Sequence, residues 1–111
     1  MNVISFEEFK RLELKAAEII AAERVAGSEK LLKLRVNLGK ADSTPERQII
    51  AGIGKYYEPE TLIGRKIVIA ANLEPKTLLG LESQGMLLAA NDGRPVIIVP
   101  DEEVAPGSLI S

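Results

Sequence analysis

Short apolar runs that alternate with polar residues restrict the fold of this chain more than any other feature. In LLKLRVNLG, residues 31–39, leucine and valine at the even positions alternate with Lys33, Arg35 and Asn37. Because side chains two residues apart share a face of a β-strand, one face of this segment is apolar and the other is basic and polar. Further short runs of strand character follow along the chain: RQIIAGIG, RKIVIAANL, MLLAA and PVIIV. Five or six such strands, with glycine-containing turns and little helix, predict a small all-β barrel rather than a βαβ fold.

The stretch before these strands predicts a short helix. The segment SFEE, which begins at Ser5, has the form of a capping box, in which the Ser5 side chain and the Glu8 side chain each accept a hydrogen bond from the other residue's amide. Ile4 and Phe9 occupy the two positions of a hydrophobic staple. The side of this helix that carries Phe6 and Phe9 then faces either the core or a partner subunit.

Three other segments lead to local predictions. LELKAAEIIAAERV, residues 12–25, is ambiguous, because its Ala and Glu content favours helix whereas its Ile-Ile centre permits a strand; propensity alone predicts helix. YEPETLIG predicts a short helical turn around Pro59 that ends at Gly64. EPKTLLGLESQG, residues 74–85, predicts a long loop before the final strands.

The composition excludes most catalytic chemistry. The chain contains no histidine and no cysteine. This removes the usual general base, the Ser-His and Cys-His nucleophile pairs, the commonest zinc ligands and any disulfide. No calcium-binding loop is present, and the step from Gly52 to Gly54 lacks the third glycine of a dinucleotide-binding fingerprint. We expect a non-catalytic protein with no metal site and no cofactor.

Charge is unevenly distributed along the chain, although the net charge is only −2. Residues 24–76 carry a net charge of +4 and residues 77–111 a net charge of −4. Aromatic residues make up 4% of the chain, too few for a surface on which single-stranded bases stack. A bound nucleic acid would therefore be read by shape and phosphate position, although charge alone also fits an ordinary mixed surface. The candidate cations are Lys33, Arg35, Arg47, Lys55, Arg65, Lys66 and Lys76.

Three segments together resemble one known family. GSEKLLKLRVNLG, RQIIAGIGKYYEPETLIGRKIVIAANL and GLESQGMLLAA are similar to the tRNA-binding domain at the C-terminus of methionyl-tRNA synthetases, which also occurs as a stand-alone, structure-specific tRNA-binding protein. The resemblance runs from about residue 4 to residue 109. It implies a five-stranded oligonucleotide-binding (OB) fold barrel with a short N-terminal helix and a C-terminal extension. It also implies that residues 12–25 hold a long first strand, against their helix propensity.

The resemblance further implies how the chain is organised and what it binds. It implies one domain, residues 1–111, made of an N-terminal helix (1–12), a barrel (13–92) and a C-terminal extension (93–111) involved in dimerisation. The implied homodimer interface includes Phe6, Phe9, Val96 and Ile98. The implied ligand is folded tRNA, bound without sequence specificity in support of the catalytic part of a methionyl-tRNA synthetase, in cis or in trans. The absence of cysteine, of a secretory signal and of a long apolar run predicts a cytoplasmic location and no membrane contact.

The resemblance and the charges together predict a set of tRNA-binding residues. This set consists of Lys33, Arg35, Arg47, Lys55, Asn72, Lys76, Ser83 and Met86. In this prediction Gln84-Gly85 turns the chain so that Ser83 and Met86 face the RNA. The alternative is a simple loop-to-strand turn in which Met86 fills the core. Lys76 is the only cation in the loop NLEPKTLLG, which is less basic than the family's usual loop and lowers the expected affinity rather than changing the mode of binding.

Two other functions stay open on the sequence alone. A small dimeric secretion-related chaperone of the same fold would bind unfolded polypeptide, and a pure dimerisation domain would bind neither polypeptide nor RNA. The basic residues Lys33 and Arg35 favour RNA, whereas Glu74 and Leu79 keep the chaperone alternative open. Met1 close to the helix start fits a stand-alone protein and fits equally a piece cut from a synthetase.

Overall fold

A short capped helix begins the computed structural model, which describes residues 2–111. Helix α1 spans Phe6–Lys10. The Ser5 hydroxyl accepts a hydrogen bond from the Glu8 amide at 3.0 Å, and the Glu8 carboxylate accepts one from the Ser5 amide at 3.0 Å, which confirms the capping box. No residue of this helix is buried, and Phe6 is 71% exposed. Met1, the first residue of the predicted segment 1–12, lies outside the described residues.

The rest of the described chain is built mainly from antiparallel strands. They are β1 (Leu14–Arg24), β2 (Leu32–Asn37), β3 (Glu46–Ala51), β4 (Lys66–Ala70), β5 (Lys76–Leu78), β6 (Leu81–Ser83), β7 (Met86–Leu87), β8 (Ala89–Asn91), β9 (Pro95–Ile97) and β10 (Leu109–Ile110). A turn of 3-10 helix, Pro59–Thr61, lies between β3 and β4 and confirms the predicted helical turn. Across residues 2–111, no helix is long and apolar enough to cross a membrane.

The central sheet has the strand order β3-β2-β1-β4-β7 and curls into a nearly closed five-stranded barrel. Strand β1 is 11 residues long, and its first part, from Leu14 to Glu18, pairs with β4. Its second part pairs with β2, and the register shifts between Ile19 and Ala21. A bulge of this kind bends a strand and increases its twist, so one strand can belong to both sides of a small barrel.

The helix that propensity predicts for residues 12–25 is wrong, because tertiary burial decides this segment. Ala16, Ala17 and Ile19 are fully buried. Pairing with β4 along its first part and with β2 along its second part gives the backbone of the segment hydrogen-bond partners in place of those of a helix. The long first strand that the family resemblance implies is therefore confirmed.

Two hairpins and a terminal strand lie beside the barrel. The long loop that the sequence predicts for residues 74–85 is wrong, because the segment forms the β5–β6 hairpin, in which Leu78 lies opposite Leu81. The MLLAA run contributes to both β7 and β8, and β8 pairs with β9 in a second hairpin. Strand β10 pairs with the start of β1, with Leu109 opposite Lys15, and so brings the end of the chain to the groove beside α1.

The core confirms the alternation predicted for residues 31–39. Leu32, Leu34 and Val36 are fully buried, whereas the Lys33 and Arg35 side chains lie on the outside of β2. Other large side chains of the core come from β1, β3, β4 and the connecting loops: Ile19, Leu38, Ile49, Ile53, Leu62, Ile67 and Ile69. Burial of the apolar face of β2 therefore fixes the basic residues of that strand toward solvent.

A buried carboxylate fastens the loop between β2 and β3 to the barrel. The Asp42 side chain is 4% exposed and lies 3.0 Å from Lys15 Nζ and 3.1 Å from the Arg47 guanidinium. It also accepts a hydrogen bond from the Thr44 amide at 2.9 Å. Burial by itself raises the pKa of Asp42, but the bonds from Thr44, Lys15 and Arg47 outweigh burial and hold the pKa at about 2.

The variant Asp42→Asn tests this cluster through the pH dependence of stability. Because the folded-state pKa of about 2 lies below the unfolded value of about 3.9, the stabilisation is complete above the unfolded pKa and is lost as the pH falls through the folded pKa. We expect the wild type to exceed the variant by about 2 kcal/mol in free energy of unfolding at neutral pH, and this difference to vanish near the folded pKa. Urea denaturation over a pH series measures it. Asp101→Asn, at an exposed carboxylate, is the control, and parallel profiles for the wild type and Asp42→Asn would contradict the expectation.

Candidate nucleic-acid interface

The outer side of β2 and β3 carries a basic groove. Lys33 and Arg35 point outward from β2, because alternate residues of that strand are buried. Gln48 lies opposite Arg35 on β3. All three side chains line a groove of about 170 Å³, which residues 21–23 of β1 close on another side.

A second groove, of about 410 Å³, adjoins the first because Lys33 lines both. One wall is the end of β1 and the loop that follows it, including Arg24 and residues 25–26. Leu79 and Leu81, from the tip of the β5–β6 hairpin, form the other wall. The hairpin therefore stands directly beside the basic strand β2.

The hairpin also bounds a third groove, of about 250 Å³, which is lined by Lys76, Leu78 and Met86 among others. Met86 is 51% exposed, so the alternative in which its side chain fills the core is wrong. The three grooves together, whose cations are Arg24, Lys33, Arg35 and Lys76, are called the β2–β3 face below. The structure thus brings together five of the predicted tRNA-binding residues on one surface: Lys33, Arg35, Lys76, Ser83 and Met86.

The cations of β2 are paired with carboxylates in the free chain. Lys33 Nζ lies 2.7 Å from the carboxylate of Glu23, and the Arg35 guanidinium lies 3.4 Å from that of Glu46. The side chains of Lys33 and Arg35 are 36% and 53% exposed. Ion pairs this exposed stabilise a protein by roughly 0–1 kcal/mol, so an incoming phosphate can replace the carboxylates at low cost.

The turn Ser83-Gln84-Gly85, called the corner below, joins β6 to the edge of β3. Ser83 is 5% exposed, and its hydroxyl accepts from the Ile50 amide at 2.9 Å and donates to the Gly85 carbonyl at 2.9 Å. The Gln84 amide donates to the Gln48 carbonyl at 2.8 Å, and the Gln84 side-chain oxygen accepts from the Gln48 amide at 2.9 Å. These bonds satisfy the free edge of β3 and close the barrel where strand pairing stops.

This arrangement gives Ser83 a structural role, and its contact with RNA stays a prediction. In the free chain its hydroxyl is turned into the protein, where it supports the corner. Gly85 makes the corner tight enough for this, with a φ of 143°. A Cβ atom at this position would lie 3.0 Å from the Ala70 carbonyl oxygen and 3.1 Å from a methyl of Ile49, so only glycine fits without a shift.

Arg47 and Asn72 are also committed to bonds within the protein. The Arg47 guanidinium donates to the Asp42 carboxylate at 3.1 Å and to two backbone carbonyls. The Asn72 side-chain oxygen accepts from the Glu13 amide at 2.8 Å, and its nitrogen donates to the Arg11 carbonyl at 2.6 Å. Arg47 therefore holds the β2–β3 loop, and Asn72 ties the link between α1 and β1 to the end of β4.

The remaining predicted residues lie away from the β2–β3 face. Lys55 is exposed on the loop after β3 and lines none of the three grooves. Of the predicted dimer residues, Phe6 and Phe9 line a groove of about 580 Å³ between α1 and β10, called the terminal groove below. Val96 lies on β9 and Ile98 directly after it, and neither lines the terminal groove.

Sequence reasoning missed several residues that line the β2–β3 face. They are Arg24, Gln48, Leu79 and Leu81. Gln48 could have been found from strand register, since it is the polar residue of β3 that lies opposite Arg35. Leu79 and Leu81 were harder to find, because Leu79-Gly80 is not a usual turn dipeptide and so does not indicate a hairpin at this position.

A small antiparallel barrel whose second and third strands present a basic face beside a protruding hairpin is an OB fold, and this surface of the fold binds oligonucleotides and oligosaccharides. The geometry therefore defines a binding protein of the OB-fold class. Residues 14–109 match the family described as "Putative tRNA binding domain", and the chain belongs to this family.

Similar proteins include both enzymes and small single-domain proteins. A methionine–tRNA ligase from Caldanaerobacter subterraneus subsp. tengcongensis is 48% identical over 112 residues, which cover 100% of this chain. The crystal structure of a MetRS related protein from Pyrococcus horikoshii is 35% identical, with a TM-score of 0.88 over 100% of both chains. The crystal structure of chaperone CsaA from Bacillus anthracis is 30% identical, with a TM-score of 0.87 over 99% of this chain and 100% of that one.

The chain corresponds to a small part of the synthetase. It spans 17% of the length of the Caldanaerobacter ligase, and the matching part is the C-terminal region. This region is the tRNA-binding domain, so the chain is a binding module rather than the catalytic part of such an enzyme.

The variant Ser83→Ala tests whether the corner closes the barrel. Removing the hydroxyl leaves the buried Ile50 amide without an acceptor, so we expect the free energy of unfolding to fall by about 1–3 kcal/mol. Urea denaturation measures this loss, and amide hydrogen exchange should accelerate at Ile50 more than at Ile69 in the middle of the sheet. Ser43→Ala, on the exposed β2–β3 loop, is the control and should change stability by less than about 0.5 kcal/mol. Wild-type stability in Ser83→Ala would show that the corner does not hold the barrel together.

Proposed function

We propose that this chain binds folded tRNA through its β2–β3 face, without catalysis and without reading a base sequence. The observation that carries the proposal is the position of Lys33, whose side chain lines two adjoining grooves of that face. Cations placed in this way attract phosphates whatever the bases are. Membership of a tRNA-binding family, over nearly the whole chain, supports the same ligand.

The placement of the aromatic residues supports recognition by shape. Proteins that hold single strands stack bases on several aromatic rings. Here Tyr56 lies on the loop after β3, outside the grooves, and the Tyr57 hydroxyl accepts from the Ile97 amide at 3.1 Å and so supports the fold. Phe6 and Phe9 lie on α1 at the terminal groove. Among the described residues, no aromatic ring lines the β2–β3 face, which suits structured RNA with phosphates at fixed spacing.

The proposed partner is the catalytic part of a methionyl-tRNA synthetase. The similarity to the C-terminal region of such enzymes supports a module that raises a synthetase's hold on tRNA within the same chain. The end-to-end match to a MetRS related protein supports the same action in trans. In either arrangement the module works in the cytoplasm, where the synthetase charges tRNA.

We propose further that two copies of the chain associate through the terminal groove. Phe6 and Leu109 are each 71% exposed there, and Phe9 lines the same groove. Contact of such large apolar side chains with water is unfavourable, and a second copy would cover them. In this homodimer, Val96 and Ile98 of the C-terminal segment extend the interface. A dimer also doubles the RNA-binding surface.

Binding of unfolded polypeptide is the second candidate function. The likeness of the whole chain to a chaperone structure favours it. Exposed apolar residues on or beside the β2–β3 face, such as Leu73, Leu79 and Met86, would suit an apolar peptide. We favour RNA because Lys33, Arg35 and Lys76 lie on the same face, and a mainly apolar ligand has no use for these cations.

The variant Lys33→Ala tests the proposed RNA contact. We expect the affinity for folded bulk tRNA to fall several-fold, and the slope of log K against log salt concentration to decrease by about one unit, because one phosphate contact is lost. Fluorescence anisotropy across a salt series measures both quantities. Lys40→Ala is the matched control, since Lys40 is an exposed lysine of the β2–β3 loop that lines none of the three grooves.

Two further ligands in the same experiment separate the candidate functions. Heat-denatured tRNA tests the dependence on shape, and carboxymethylated α-lactalbumin, which cannot refold, tests polypeptide binding. We expect folded tRNA to bind far more tightly than either. If folded tRNA fails to bind even at low salt while the lactalbumin binds independently of salt, the tRNA proposal is wrong and the polypeptide alternative replaces it.

The variants Phe6→Glu and Leu109→Glu test the proposed dimer. Each places a charge in the terminal groove, where a dimer interface would have to bury it without a partner, so we expect both variants to sediment as monomers. Sedimentation velocity measures the mass, and circular dichroism checks that the barrel is intact. A wild-type chain that is already monomeric at high micromolar concentration, or a dimer that both variants leave unchanged, would contradict this interface.

A further inference from the structure

The tip of the β5–β6 hairpin holds a leucine in an unfavourable backbone conformation. Leu78 lies opposite Leu81, so Leu79 and Gly80 alone form the turn. Their φ angles are 48° and 76°. Positive φ angles at both central residues are what a type I′ turn requires. At positive φ the Cβ of any residue comes close to the following carbonyl oxygen, so this turn favours Asn-Gly: glycine has no Cβ, and the short polar side chain of asparagine offsets the strain with a local hydrogen bond. In residues 2–111, Leu79 is the only non-glycine residue with a positive φ.

Packing inside the protein does not explain this leucine. Its side chain is 64% exposed, whereas the leucines of β2 are fully buried. Removing an apolar side chain from water is what stabilises a leucine, and Leu79 gains little of that in the free chain. A residue that strains the backbone and leaves its side chain in water indicates a role for that side chain with a ligand.

The surroundings of Leu79 indicate which ligand that is. The groove that it lines also contains Arg24 and Lys33, and Glu23 is paired with Lys33. A ligand that fills this groove therefore meets the apolar side chain of Leu79 next to Lys33, a cation whose carboxylate partner can be displaced. RNA has the complementary features, because its ribose and base surfaces lie between phosphates, whereas an apolar peptide offers no anion for Lys33.

We propose that Leu79 is an RNA-contacting residue that packs against a ribose or base surface of folded tRNA while Lys33 neutralises a neighbouring phosphate. This inference rests on the proposed tRNA binding and adds an uncharged contact to it. A hairpin with Lys76 as its one cation thereby contributes affinity that salt does not screen. Leu79 also contributes to selection for shape, because a rigid turn meets a sugar only where folded RNA holds one in reach.

The variant Leu79→Asn separates the two effects of this residue. Asn-Gly is the preferred type I′ turn, so we expect the melting temperature to rise by several degrees. We expect affinity for folded bulk tRNA to fall about tenfold, as the loss of an apolar contact of this size requires, with an unchanged salt slope because no charge is removed. Leu79→Met, which keeps the apolar volume, should bind within about twofold of the wild type.

Ile63→Asn is the matched control, because Ile63 is 52% exposed and lines none of the three grooves. It should leave tRNA affinity unchanged. Wild-type tRNA affinity in Leu79→Asn would overturn the inference while leaving the proposed tRNA binding intact. A lower melting temperature in Leu79→Asn would remove the strain on which the inference depends and would overturn it as well.

Two outcomes concern the ligand itself. If Leu79→Asn binds tRNA normally but loses affinity for carboxymethylated α-lactalbumin, the residue contacts polypeptide and the RNA assignment is wrong. If the wild type binds no tRNA at any salt concentration, the proposed function and this inference are both wrong.

Discussion

Hydrogen bonds that two side chains accept from backbone amides close the barrel, and the candidate RNA-binding face depends on that closure. The edge amides of Gln48 and Ile50 on β3 find their acceptors in the side chains of Gln84 and Ser83 rather than in another strand. A buried amide without an acceptor is costly, so these bonds fix the end of the β5–β6 hairpin against β3. They thereby place the tip of the hairpin, with Leu79, beside the basic strand β2.

Strands whose apolar residues alternate in the sequence could be predicted, whereas elements that depend on contacts with distant segments of the chain could not. The alternation around Lys33 predicted β2 and its outward cations, because periodicity of two reports burial directly. Ala16 and Ala17 favour helix in isolation, and burial between β2 and β4 overrides that preference. The hairpin escaped prediction because Leu79 takes the place of the usual turn residue. Ser83 shows the same limit for the site, since a hydroxyl in a loop gives no sign of facing inward.

Paired charges on the β2–β3 face give a physical reason for the proposed recognition by shape. Lys33 and Arg35 are held by Glu23 and Glu46 in the free chain, so a phosphate must displace a carboxylate to reach either cation. We infer that folded RNA is favoured in this exchange, because it presents several phosphates at once in fixed positions. A flexible strand has to be ordered before it makes the same contacts, and that ordering costs conformational entropy.

Backbone amide chemical shifts of the ¹⁵N-labelled chain, followed during titration with folded tRNA, test the location of the RNA-binding surface most directly. We expect the largest shifts at residues 32–37, 46–51 and 76–83, which form β2, β3 and the β5–β6 hairpin. Residues 6–10 and 109–110, at the terminal groove, should change little. Shifts concentrated at the terminal groove, with β2 and the hairpin unmoved, would contradict binding of tRNA through the β2–β3 face.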